Sequence, residues 1–312
     1  MQAAGNMNLS IIVISYNTKE ITKNCLDSIS ESLKGSSINY EVIIVDNASN
    51  DGTVNKIKNL KLKIRNLNLI QNNKNIGFAK ANNQAVKQSK GNYLLFLNSD
   101  IVVLDNAIEK MFLFYKENEK TVHFLGGKLL NKDKTPQPSA GPFYSLPVVF
   151  GALFLKGDYW GLTRYSPNRL KKVDWVSGAC ILARKSYFED VNGFDENIFM
   201  YMEELDLLYR ARQSGYQTYF YPEAHFIHLG SASSNGKTYP ILQVFKGFLF
   251  FYNKHHKDGF SQFFLRFMLK LKSLIALMIG KITGNQYLLK TYEEAYKLAR
   301  LAEATSKRAK MA

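Results

Sequence analysis

The sequence predicts an α/β fold, a mostly parallel sheet covered by helices on both faces. Three observations carry this. Apolar runs rich in β-branched residues recur at 9–14 ("LSIIVI"), 41–46 ("EVIIVD"), 67–71 ("LNLIQ") and 93–97 ("YLLFL"). Helix-like segments separate them. Two runs lead directly into carboxylates, Asp46 and Asp100. Strands that are apolar along their whole length are buried on both faces, as in a parallel sheet. Such sheets bind ligands at the carboxyl ends of their strands.

After the first run, Ile21, Cys25, Ile29 and Leu33 recur every four residues and mark one face of a helix. "FAKANNQAVKQS" (78–89) suits another helix. From about 126 to 172 the pattern is irregular. "KTPQPSAGPFYSLP" holds four of the seven prolines and reads as a loop. Order returns with a strand at 175–183 ("WVSGACILA") and a helix at 203–215 ("EELDLLYRARQSG") that Gly215 closes. A last strand is expected at 216–222 ("YQTYFYP").

The 312 residues suffice for one large domain or two small ones. The net charge of +15 favours anionic partners. It is unevenly placed. From Gly236 onward there are 14 Lys and Arg against 4 Asp and Glu, so +10 of the +15 lies in the tail. The division expected is a body over 7–235 and a basic helical tail over 236–312. The tail is aromatic and amphipathic, but its uncharged run Ser273–Gly280 is far short of the about 20 residues that span a bilayer. A helix lying on an anionic membrane surface fits the charge and aromatic content. The competing reading is an arm packed on the body or on a second subunit, as in a homodimer. Nucleic acid is not expected as a partner, because the basic residues intersperse with apolar ones and no stacking-aromatic module is present. The two cysteines, Cys25 and Cys180, form no CxxC pattern, which fits a reducing compartment. "MQAAGNMNLS" lacks the basic-then-apolar pattern of a signal peptide.

Five segments carry polar groups suited to chemistry. Asp46, in "VDNASNDGT", could accept hydrogen bonds from a nucleobase or ribose, or could form a turn with Asp51 or Thr53 capping a helix. Asp100, beside Asn98, offers hard oxygen to Mg²⁺ or Mn²⁺. Gly77, in "NKNIGFAKANN", lets backbone approach a ligand before a helix N-terminus. Glu203 and Glu204 open a helix, and one of them could act as a general base. Asp206 and Arg210, one turn apart, should pair structurally. In "HFIHLGSASS", His228 could join a carboxylate on a metal, and Gly230 with Ser231 could approach phosphate. His225 reads as a surface loop histidine.

The order of these segments resembles the inverting GT-A glycosyltransferases of family 2, most of all their bacterial rhamnosyltransferase-like branch. The resemblance covers about residues 8 to 256. It implies a GT-A, Rossmann-like fold and transfer of a sugar from a nucleotide-sugar donor. Ser15, Tyr16, Asn17 and Asp46 would hold the nucleotide, and Asn75, Gly77 and Phe78 would help hold the donor. The family's DXD-like motif falls on Asn98, Ser99 and Asp100. Asp100 would bind Mg²⁺ or Mn²⁺, with His228 on metal or diphosphate. Trp175 to Ala179, including Gly178, would line the sugar cleft. The base falls on Glu204, where the family more often has Asp, and Glu203 is its rival. The implied donor is dTDP-L-rhamnose, with a UDP-hexose second. The implied acceptor is a lipid-linked saccharide in cell-surface polysaccharide assembly. The enzyme would be cytoplasmic, peripheral on the inner face of the plasma membrane. A catalytically silent binding protein of the same fold is the alternative.

Overall fold

The computed structural model describes residues 8–60, 64, 66–230 and 238–311, without the side chains of 238–240 and 302–311. Ser231 and the expected boundary at 235/236 lie outside the described residues. The chain divides into two compact units.

The first unit comprises residues up to Pro142, Arg164–Phe199 and Glu203–Ser233. It opens as alternating strand and helix: β1 (Leu9–Ser15), α1 (Lys19–Ser32), β2 (Tyr40–Asp46), α2 (Thr53–Leu60), β3 (Leu67–Gln71), α3 (Phe78–Gln88) and β4 (Tyr93–Asn98). β5 (Ile101–Val103), α4 (Ala107–Asn118), β6 (Phe124–Leu130) and β7 (Ala140–Gly141) follow. The second unit comprises Phe143–Thr163, Met200–Met202 and Ser234–Ala312, and its first helix is α5 (Leu146–Phe154). Back in the first unit are β8 (Lys171–Val173), β9 (Trp175–Val176), β10 (Cys180–Arg184), α6 (Lys185–Asp190), α7 (Glu203–Gln213) and β11 (Thr218–His228). The second unit ends with α8 (Thr238–His255), α9 (Gly259–Thr283) and α10 (Gln286–Met311).

The main sheet runs β3-β2-β1-β4-β10-β6-β11-β5, with β8 on β11. β1, β2, β3 and β4 are mutually parallel where they pair. β10 enters antiparallel between β4 and β6, and β6 and β11 are parallel. The sheet is therefore mixed but mostly parallel at its centre, as the continuous apolar strands predict. Every residue of β1 is buried. Leu9, Ile11 and Val13 join α1 side chains Cys25, Leu26 and Ile29 and α4 side chains Met111, Phe112 and Tyr115 in one core. Phe96, Phe188 and Phe194 form a second aromatic cluster, with ring centroids 5.1–5.4 Å apart.

Three expectations need correction. The stretch 126–172 is not irregular throughout: it holds most of β6, all of α5 and the start of β8. Pro147 sits in the first turn of α5, where its missing N–H costs nothing, so proline starts that helix. The strand expected at 175–183 is two strands, broken at Ser177–Ala179. The strand expected at 216–222 continues to His228, so His225 and His228 are on a strand and not in a loop. Pro222 does not end it, because the β6–β11 register slips between Tyr221 and His225, and a bulge accommodates proline.

In the second unit α9 packs on α10, α8 and α5. Asp258 caps α9 by accepting from the Ser261 N–H at 2.7 Å, and Gly284 ends it in the left-handed conformation. Among the described residues no helix is long and apolar enough to cross a membrane.

Candidate active site

The carboxyl ends of β1, β2 and β4 lie side by side, since Ser15 pairs with Asp46 and Ile14 with Asn98. This places Ser15–Asn17, Asp46 and Asn98–Asp100 on one edge. The loops after β1 and β2 are tied together. Asn17 has a positive φ of 52°, and its N–H donates to Ser49 Oγ at 2.8 Å. Its Oδ1 accepts from the Asn50 N–H at 2.9 Å. Asp46 is buried and accepts from the Ser49 N–H and hydroxyl at 2.9 and 2.6 Å. The Ser15 hydroxyl turns inward to Thr18 and Thr22. Tyr16 is half-buried. The side chains of Ser15 and Asp46 thus hold the loops, leaving Tyr16 and loop backbone as the more available groups.

Gly77 joins two motifs far apart in sequence, since its partner is Phe199. Its φ is 87° and ψ 168°, and an added Cβ would meet Phe199 Cδ2 and the Phe199 carbonyl oxygen at 2.8 Å. The Phe78 N–H donates to that same carbonyl at 2.8 Å. Asn75 Oδ1 accepts from the Gly77 N–H at 3.0 Å and sets the turn. The Gly77 carbonyl accepts from Asn47, which in turn accepts from Asn72. "NIGFA" is therefore a support for the segment that leads to α7.

Asp100 is buried, with Oδ1 3.4 Å from His228 Nε2. Asn98 Nδ2 is also 3.4 Å from that nitrogen. On the other side of the ring, His228 Nδ1 lies 2.7 Å from Gln137 Oε1. The Gln137 amide nitrogen donates to the His228 carbonyl at 3.2 Å and to Asn131 Oδ1 at 3.0 Å. Those two bonds orient the amide so that its oxygen faces Nδ1. Nδ1 then carries the proton, and the Nε2 lone pair faces the Asp100 carboxylate. The Asn98 amide can donate to Nε2, and a proton or a metal ion between Nε2 and the carboxylate would bind both acceptors. Ligands about 2.1 Å from one octahedral ion stand about 3 Å apart, close to the separation seen. Among the described residues no group of three His, Cys, Asp or Glu could hold a metal, so this pair would need oxygens from a ligand and water. The residues fit Mg²⁺ or Mn²⁺ on those terms.

The acidic pair reaches the same edge through the break between β9 and β10. The Asn98 N–H donates to the Ala179 carbonyl at 3.1 Å. An added Cβ on Gly178 would lie 3.4 Å from Glu204 Cβ and 3.8 Å from Glu203 Oε1. Before α7, Tyr201 and Met202 have positive φ values of 66° and 73°. Such backbone costs about 1–3 kcal/mol per residue and clusters at functional sites. Oε2 of both glutamates is buried without a hydrogen-bond partner. Burial, and then the charge of Glu204, push Glu203 well above the usual carboxylate range. Glu204 is raised too, mainly by burial, but its own N–H, the Arg164 guanidinium and the N–H groups of Gly178 and Leu205 favour its anion. The two environments differ in kind: both carboxyls are raised by burial, but only Glu204 has a guanidinium and neighbouring N–H groups that favour its anion.

Trp175 is buried and donates its ring N–H to the Pro142 carbonyl at 2.8 Å, while Arg164 lies 5.5 Å from its ring centroid. Asp206 and Arg210 pair at 2.8 Å, and Arg210 also donates to the Val191 and Gly193 carbonyls, a structural role as expected. Sequence reasoning did not find Gln137, Arg164 or Phe199. Gln137 and Arg164 lie in the proline-rich and irregular middle, where no periodicity points to a partner.

The chain matches the model of Glycosyl transferase family 2 over residues 10–191. It is 27% identical over 248 residues to the N-acetylglucosaminyl-diphospho-decaprenol L-rhamnosyltransferase of Mycobacterium tuberculosis, covering 73% of this chain and 78% of that protein. It is 28% identical over 228 residues to the rhamnosyltransferase WbbL of Escherichia coli, covering 70% and 82%. Among solved structures it resembles the mannosyltransferase PcManGT from Pyrobaculum calidifontis, solved with GDP-Man and Mn²⁺. The TM-score is 0.56 at 15% identity, covering 97% of this chain and 75% of that one, a likeness of GT-A fold. With a family match across more than half its length, this chain belongs to Glycosyl transferase family 2.

Proposed function

We propose that the protein is a metal-dependent inverting glycosyltransferase that moves L-rhamnose from dTDP-L-rhamnose to a hydroxyl of a lipid-linked saccharide. Relatives named as rhamnosyltransferases, one of them as an L-rhamnosyltransferase, support the choice of sugar. The observation that carries the mechanism is the unequal glutamate pair. Glu203 is pushed well above the usual carboxylate range by burial and the charge of Glu204, whereas Arg164 and nearby N–H groups favour the Glu204 anion, which makes Glu204 the base. Glu204 takes the acceptor proton as that oxygen attacks the anomeric carbon, and one displacement inverts the centre. Its raised pKa makes it a stronger base than an ordinary exposed carboxylate. Tyr16, Asn17, Asn75 and Phe78 bind the nucleotide and donor, with Gly77 shaping the approach. Ser15 and Asp46 hold the surrounding loops. Gly178 and Ala179 carry the sugar side of the edge, and Trp175 with Arg164 backs it. Asp100 and His228 would hold Mg²⁺ or Mn²⁺, with Asn98 and Ser99 beside them. The metal, when bound, neutralises charge on the departing nucleoside diphosphate. The basic tail would hold the enzyme on an anionic inner leaflet near its acceptor.

The test is Glu204→Gln. Transfer should be abolished while a thermal shift with dTDP-L-rhamnose and Mn²⁺ survives. Retained turnover would move the base to Glu203. A stronger shift with a UDP-hexose would overturn the donor. No donor hydrolysis or transfer by the unaltered protein with any sugar nucleotide would favour a silent binding protein.

A further inference from the structure

All large exposed apolar side chains among the described residues except Leu113, Leu170, Phe199 and Leu229 belong to the second unit. Apart from Tyr287 and Leu301 on α10, they sit in two places. On α9, Phe260, Phe263, Phe267, Leu274, Met278 and Ile282 recur at steps that keep them on one face of a helix. α9 is 25 residues, about 37 Å at the helical rise, and carries four basic residues and no acidic one. Helical geometry puts Lys281 beside that stripe, and exposed Lys257 lies two residues before the helix, next to the Asp258 cap. The second place is α5 and the turn after it. Phe150, Leu155, Tyr159, Trp160 and Leu162 are exposed there, and α5 packs on α9.

We infer that α9 and the α5–Leu162 segment form one platform that lies on an anionic lipid bilayer, with Tyr159 and Trp160 seated at the headgroup level. This rests on the membrane reading of the tail and extends it to a segment well before the tail in sequence. The choice of occupant follows from charge. A bilayer of anionic lipid matches an apolar stripe on a helix with four basic residues and no acidic one, the exposed Asp258 and Asp158 lying only at the edges of the platform. A second copy would bring the same positive charge against itself. The helix lies along the surface, since no described helix can cross. Tyrosine and tryptophan favour the interface because one end of each is apolar and the other polar.

The two tryptophans make the inference measurable. Trp160 is 68% exposed and Trp175 only 3%. The full chain is mixed with vesicles of one part phosphatidylglycerol to three parts phosphatidylcholine. It should float with them, bind pure phosphatidylcholine far less, and shift its tryptophan emission to the blue. Trp160→Phe should remove the shift. Phe263→Ser with Phe267→Ser, both on exposed positions, should cut the bound fraction about tenfold or more, as loss of two buried phenyl groups requires. Lys257→Glu with Lys281→Glu should weaken binding without touching the apolar face. Flotation with no change at Trp160 would leave the tail on the membrane and overturn the platform. No flotation at all would overturn both. Concentration-dependent dimers abolished by the phenylalanine substitutions, with no vesicle binding, would assign the face to a second copy. None of these readouts depends on turnover, so a wrong donor or base would not affect them.

Discussion

Gly77→Ala tests the link between the two motifs. At φ 87° and ψ 168° the backbone is in a region almost confined to glycine, and a side chain there costs about 1–3 kcal/mol. The new methyl would also sit 2.8 Å from the Phe199 carbonyl oxygen and from its ring. The oxygen is backbone and accepts from the Phe78 N–H, so it cannot swing aside. Overpacking of this kind costs about 1–3 kcal/mol more. The expected loss is about 2–6 kcal/mol in all. Urea unfolding followed by Trp175 fluorescence in a Trp160→Phe background would measure it in the first unit. The midpoint should fall at an unchanged slope. Because Phe199 leads to the acidic helix, transfer should also fall in the fraction that stays folded. A loss below about 0.5 kcal/mol, the range of ordinary surface substitutions, would refute the reasoning.

Other outcomes follow from the site. Glu203 has a folded pKa above its unfolded one, so the native state binds more protons and stability falls as pH rises from the unfolded pKa to the folded one. Glu203→Gln should remove that decline and leave the protein more stable than the unaltered chain at neutral pH; parallel pH–stability curves would contradict it. Gln137→Leu should weaken Mn²⁺ binding about 10–100-fold, measured by the thermal shift with metal and dTDP, by freeing the His228 ring. Asp100→Ala should abolish both activity and the metal-dependent part of that shift. A shift that persists would exclude Asp100 as a ligand.

The strands were legible because each carries its own signal. β1, β2 and β4 are apolar runs buried in the same sheet, β3 is an edge strand that buries only Leu67, and a local window contains each pattern. α5 was not legible, because its proline and apolar sequence match a loop or a buried segment equally well. The order of the motifs identified the family. The pairings behind that order were hidden, since Gly77 meets Phe199 and Gln137 meets His228 across long separations in the chain.

The sequence by itself determined the parallel-sheet class, the carboxylates at its strand ends and the charge of the tail. These are properties of composition and short-range period, which survive without a fold. Only the tertiary structure gave the two adjacent carboxyls different surroundings. Glu203 and Glu204 are the same residue type at adjacent positions, and burial, Arg164 and the Gly178 N–H make them different. It also decided that Tyr159 and Trp160 share a unit with α9, because packing alone brings a mid-chain turn to a C-terminal helix.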